Sequence, residues 1–167
     1  MHATIQKILL PQLIILITLI TSPHTATAID QKAWQLSCKK QKACKIYGYI
    51  VSDKKVIVSS ISLMHLKVKG QKKRKLVGIV MLPLGLHIPS GVRLSFDNKV
   101  KVKANLVECK LKGCRALFTA EKIIIEQMKK GKTVHITIVD SKTRKGLKLQ
   151  YGLKGFSKIY KEFLAKT

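Results

Sequence analysis

Residues 99–118 read KVKVKANLVECKLKGCRALF, and the first half of that stretch decides the fold. Val100, Val102 and Ala104 fall on one side while Lys99, Lys101 and Lys103 fall on the other, the period-two pattern of a strand with one face buried and one in water. A turn with glycine follows at Lys112-Gly113, and a second apolar run starts at Cys114, so the stretch reads as an antiparallel hairpin. Working outward, AWQLSC (33–38), CKIYGYIV (44–51), VIVSSISLMHLKV (56–68), KLVGIVML (75–82) and VRLSFD (92–97) read as strands on the N-terminal side. CRALFTA (114–120), KTVHITIVD (132–140) and GLKLQYGL (146–153) do so on the C-terminal side. Gly70, Pro89-Ser90-Gly91, Asp97-Asn98 and Gly131 punctuate them.

Two segments leave this pattern. AEKIIIEQMKK (120–130) follows Thr119, an expected N-cap, and stops at Gly131, which predicts a short helix. GFSKIYKEFLAK (155–166) sets Phe156, Ile159, Tyr160, Phe163 and Leu164 on one helical face. The expected fold is mainly β: a single antiparallel β-rich domain, a sandwich or curved sheet, with one short internal helix and a C-terminal helix closing an end.

The N-terminus carries an address. Lys7 precedes ILLPQLIILITLI (8–20), and TSPHTATA ends at Ala28 with the Ala26-x-Ala28 pattern of a secretory signal peptide. The apolar run is shorter than the roughly 20 residues a membrane span needs and is broken by Pro11-Gln12. The expectation is a signal peptide over 1–28 and one domain over 29–167, exported to the periplasm, the cell surface or the medium, with no transmembrane segment after cleavage.

All four cysteines (Cys38, Cys44, Cys109, Cys114) lie after the cleavage point, and an even count in an exported chain reads first as disulfides. Cysteines this close can face one another across a hairpin, which favours Cys38–Cys44 and Cys109–Cys114, the second closing a four-residue loop Lys110–Gly113. A zinc site fits poorly, since Cys38 and Cys44 fall outside the usual spacing and no histidine is placed as a further ligand. C-x-x-C is absent, and His65, His87 and His135 each stand alone in apolar surroundings without a nucleophile beside them. The mature carboxylates (Asp30, Asp53, Asp97, Glu108, Glu121, Glu126, Asp140, Glu162) are dispersed, with no close pair for acid/base work. No phosphate loop, G-x-S-x-G or H-E-x-x-H occurs. The reading is of a non-enzymatic protein with no catalytic residues, metal or cofactor.

Trp34-x-x-x-Cys38 with Cys44, then MLPLGLHIPSGVRLSFD (81–97), Cys109-x-x-x-Gly113-Cys114, a short helix ending in KKGK, and LKGFSKIYKEFL (153–164) follow in an order that resembles the invasion-associated locus B family of exported bacterial proteins. The matching positions are Trp34, Cys38, Cys44, Leu82, Pro83, Leu84, Gly85, Gly91, Cys109, Gly113, Cys114, Gly155 and Phe156, and each also has a structural explanation as core, turn or staple. The resemblance implies one β-rich domain, export across the inner membrane and, in host-associated members, a part in the invasion of host cells; it implies no known catalytic residues.

The chain departs from that pattern in its lysine content. It has 33 basic and 8 acidic residues and a formal charge of +25, and only Arg74, Arg93, Arg115 and Arg144 are arginine. The densest run is KVKGQKKRK (67–75), which makes Lys67, Lys69, Lys72, Lys73, Arg74 and Lys75 the candidate polyanion-binding residues, with KVKVK (99–103), KKGK (129–132) and KTRKGLK (142–148) behind it. Such a field concentrates polyanions: lipopolysaccharide, acidic glycan or an anionic lipid surface. Two other readings compete, a lysine-rich composition on solvated faces and edge strands, and nucleic acid, since KKRK (72–75) resembles a nuclear-localisation patch. Scarce arginine and scarce aromatics argue against specific nucleic-acid recognition. The first functional reading is action at the bacterial envelope or on a host-cell surface; the second is a periplasmic structural or envelope-maintenance protein binding anionic lipids or glycans.

Overall fold

The computed structural model describes residues 30–39, 43–67, 70 and 73–167; the expected signal peptide, Lys69 and Lys72 lie outside them. Nine antiparallel strands form one sheet curled into a half-barrel, with two helices. They are β1 (Asp30–Lys39), β2 (Ala43–Val51), β3 (Ile57–Lys67), β4 (Arg74–Leu82), β5 (Val92–Phe96), β6 (Val100–Lys110), β7 (Gly113–Thr119), β8 (Thr133–Val139) and β9 (Gly146–Gly152). The helices are α1 (Lys122–Lys130) and α2 (Phe156–Lys166). Of the two β architectures expected, the curved sheet is the one found.

The spatial order is β1-β2-β3-β4-β7-β6-β5-β8-β9. Alternation sets which face is inside: Ile61 and Leu63 on β3, Leu94 and Phe96 on β5, and Val134, Ile136 and Ile138 on β8 are buried. Register shifts in the β1–β2, β2–β3 and β6–β7 pairings add local twist and help the sheet curl. The helices complete the core by burying Ile124, Ile125 and Met128 from α1 and Phe156, Tyr160 and Phe163 from α2. Gly78, inside β4, is covered by the ring of its cross-strand partner Phe118, and a Cβ there would meet ring atoms at 2.1 Å. Glycine in mid-strand is explained by that close cover.

Two local expectations are corrected, the cap of α1 and the length of one hairpin loop. Thr119 does not cap α1: it stays paired with Val77 as the last residue of β7, and Ala120 N–H donates to Leu76 O, so the ladder holds the chain extended and Glu121 becomes the N-cap without a side-chain bond. Gly131 ends α1 as the sequence predicts, in an extended conformation; a side chain there would meet Gln127 O at 2.5 Å and Asp97 Oδ2 at 2.7 Å. The Cys109–Cys114 hairpin loop is Leu111-Lys112, shorter than expected, because the ladder runs one rung past the cysteines to Lys110↔Gly113.

Candidate functional site

Both disulfides join directly paired cysteines, Cys38–Cys44 between β1 and β2 and Cys109–Cys114 between β6 and β7, each with Cα atoms 3.9 Å apart. The motif glycines Gly85, Gly91, Gly113 and Gly155 all have positive φ. Gly113 is the most constrained: φ is +123° and a Cβ would lie 2.4 Å from Leu82 O, so the hairpin packs against the end of β4 only with glycine there. Leu82 is core, whereas Pro83, Leu84 and Gly85 are exposed where β4 ends. The chain from there to β5 is tied to β8 by Ser141 N–H to Gly85 O and His87 N–H to Val139 O, both 2.8 Å. His87 also bonds Ser90 Oγ at 2.7 Å and meets the Arg144 guanidinium. Trp34 and Phe156 pack edge to face, with ring centres 5.1 Å apart.

Several carboxylates have structural partners. Asp97 accepts from the backbone N–H groups of Lys132 and Thr133 and from Thr133 Oγ1, and these bonds hold its carboxyl below the usual range. Asp140 accepts from Thr143 and Lys142 in the β8–β9 turn in the same way. Glu108 pairs with Lys110 and Arg115, and Glu126 with Lys129 and Lys130. Among the described residues no group of three His, Cys, Asp or Glu side chains could hold a metal, no cysteine is free, and no helix is long and apolar enough to cross a membrane.

Two places gather several of the cations outside these pairs. The first is the β3–β4 tip, where Lys67 pairs with Arg74 and both stand exposed with Lys73 and Lys75. Below it lies a cleft of about 530 Å³ between these strands and the end of α2, floored by Cys44, Met64 and Leu66 and rimmed by Lys39, Lys67 and Arg74. His65 lies along it, stacked on Phe163 at 5.2 Å; burial first and the Arg74 charge second hold its imidazole below its ordinary value, so it is neutral at pH 7.

The second is the outer face of β6-β5-β8-β9, which takes Lys101 and Lys103 from the 99–103 run and Lys148 from the 142–148 run. Because Val92, Leu94 and Phe96 face the core, Arg93 and Ser95 face outward. The register then lines up Lys103, Arg93, Thr137 and Lys148 in one row, and Lys101, Ser95, His135 and Gln150 in the next. Arg93 and Ser95 lie in a shallow depression of about 670 Å³ with Lys101, Lys103, Thr137 and Lys148, and no carboxylate lines it. Among the described residues none of its four cations has an ion-pair partner. Like charges opposite one another, as at Arg93↔Lys103, oppose sheet pairing. The lysine alternation at 99–103 is the sequence signal for this face; the arrival of Arg93 and Lys148 beside it depends on pairing between distant strands.

A family model described as invasion associated locus B protein matches residues 34–163. A crystal structure of invasion associated protein B from Bartonella henselae superposes with a TM-score of 0.69 at 23% identity, covering 81% of this chain and 96% of that one, a likeness of fold. No curated protein matches the sequence significantly.

Proposed function

Given that the chain belongs to the invasion associated locus B family, we propose that it is an exported, disulfide-stapled, non-enzymatic binding protein that works at the bacterial envelope or on a host-cell surface, where its basic faces engage anionic polymers. The observation that carries this reading is the set of uncompensated cations: 33 basic against 8 acidic residues, with several of the acids already committed to lysines, arginines and backbone caps. A surface of that sign draws lipopolysaccharide, acidic glycans or anionic lipid to it. Hairpin disulfides suit an oxidising compartment, and the Ala26-x-Ala28 pattern supplies the route there. The exposed tip residues Lys67, Lys73, Arg74 and Lys75, with Lys69 and Lys72 in the same run, add to the field that gathers such polymers.

Fractionation of cells carrying a C-terminally tagged protein, before and during host contact, tests this. Surface or medium fractions during contact support action on a host. Strict periplasmic retention favours the envelope-maintenance role. A protein found in the cytoplasm with Met1 to Ala28 still attached overturns the reading.

A further inference from the structure

We infer that the outer face of β6-β5-β8-β9 is a saccharide-binding site selective for sulfated or phosphorylated glycan, a reading that rests on the polyanion-binding function above and gives it a place. The rows Lys103–Arg93–Thr137–Lys148 and Lys101–Ser95–His135–Gln150 cross four hydrogen-bonded strands. Each row is about 14 Å long from three strand spacings, and the rows are about 7 Å apart along the strands. The backbone ladder therefore fixes the spacing of the cations and of the hydroxyl and amide groups between them, which a flexible lysine-rich loop does not do.

The second row carries the second observation. Ser95 Oγ, in the depression, and His135 Nδ1, on the adjoining strand, are buried without hydrogen-bond partners, and the two residues are direct cross-strand neighbours. His135 is only 8% exposed although its strand position faces outward, and its Nε2 bonds Gln150 Oε1 at 3.1 Å. In the tautomer that donates from Nε2 to that amide oxygen, Nδ1 is an acceptor in want of a proton donor. Buried polar atoms of this kind call for a partner. A fully ionised sulfate has no proton to give, whereas a sugar hydroxyl can donate to Nδ1 and accept from Ser95 Oγ–H. Cations around these groups add charge-assisted bonds to sulfate or phosphate substituents. Neither row contains a Phe, Tyr or Trp as a platform for nucleic-acid bases.

The test uses the full mature chain and two variants that each remove four positive charges: Arg93→Gln/Lys101→Gln/Lys103→Gln/Lys148→Gln on the sheet face, and Lys67→Gln/Lys73→Gln/Arg74→Gln/Lys75→Gln at the β3–β4 tip. Calorimetric titration at physiological salt uses a heparin-type sulfated octasaccharide, its desulfated form, and vesicles containing phosphatidylglycerol. The sheet-face variant should bind the sulfated saccharide at least about tenfold more weakly and the tip variant less than about threefold. Ser95→Ala, which leaves the charge intact, should weaken saccharide binding several-fold and vesicle binding not at all. Backbone amide shifts of the unmutated protein on titration should cluster on β5, β6, β8 and β9. Equal losses in the two charge variants, shifts centred on the β3–β4 tip, or binding to vesicles but not to saccharide would each overturn the assignment to this face. Failure of the unmutated protein to bind any of the anionic probes would overturn the polyanion reading as well.

Discussion

The indole Nε1–H of Trp34 on β1 donates a 2.9 Å hydrogen bond to the carbonyl oxygen of Gly152 at the end of β9, 118 residues away. β1 and β9 are the two edges of the sheet, so this bond ties together the sides of an open half-barrel. The ring is 4% exposed, lies edge-on to Phe156 and covers Gly48, where a Cβ would stand 3.4 Å from it. Trp34→Phe keeps most of the apolar contact and removes the donor; it should cost about 1–3 kcal/mol in denaturant unfolding. Hydrogen exchange should speed up on β1 and β9 first, and loss confined to other strands would contradict the edge-tying role.

The disulfides staple register more than they hold the fold. With sequence separations of 6 and 5, the chain-entropy model gives each about 2 kcal/mol. Peptide mapping of the protein without reductant should recover Cys38 with Cys44 and Cys109 with Cys114. Reduction should lower the unfolding midpoint while the native circular-dichroism spectrum persists; a bridge between the two hairpins would refute the pairing.

Asp97 turns the chain from β5 to β6 and clamps the start of β8 through three donors on Lys132 and Thr133. Its carboxyl is held below the ordinary value, chiefly by the backbone bond from Thr133. A group depressed in the folded state contributes stability above its unfolded value of about 4, and that contribution is lost as pH falls through the folded value. The unmutated protein should therefore lose more stability than Asp97→Asn between about pH 5 and pH 3. Parallel slopes for the two proteins would contradict the clamp.

Tyr151 is fully buried, and its hydroxyl has no hydrogen-bond partner of good geometry even though it approaches Ser59, whose own hydroxyl donates to Met81 O at 2.7 Å. Burial pushes the phenol well above its ordinary value. Removing an unpartnered hydroxyl costs little, so Tyr151→Phe should change stability by less than about 1 kcal/mol or raise it. Because the folded pKa is raised, the contribution of Tyr151 is intact below about pH 10 and declines above it. In an ultraviolet titration this tyrosine should ionise only with unfolding.

Gly78→Ala places a methyl group into the Phe118 ring. Overpacking of this kind should cost about 1–3 kcal/mol. The double variant Gly78→Ala/Phe118→Leu should recover part of that loss, and purely additive effects would show that the two positions are not coupled.

Period-two alternation was enough to locate all nine strands, and the i, i+3, i+4 spacing of Phe156, Ile159, Tyr160 and Phe163 was enough for α2. Strand order was not legible. Alternation says that Leu94 faces the core, but not that β5 will sit between β6 and β8, because partner choice depends on contacts far away in sequence. The same limit applies to the cations. Density along the chain pointed to Lys67–Lys75, whereas the rows on the outer face are assembled from residues that are neighbours only after Arg93 meets Lys103 and Thr137 meets Lys148. Thr119 had the chemistry of a cap, and one further backbone bond from Ala120 to Leu76 decided against it.

Four cysteines allow three pairings, yet here each partner lies within six residues of the other. If the chain is exported as proposed, threaded through a membrane from its N-terminus, Cys38 can find Cys44 while everything beyond β2 is still on the far side, and Cys109 can find Cys114 before β8 has appeared. Oxidation can then keep pace with arrival. The mispaired species that long-range bridges must escape, with the help of an isomerase, are largely bypassed by the order in which the thiols emerge.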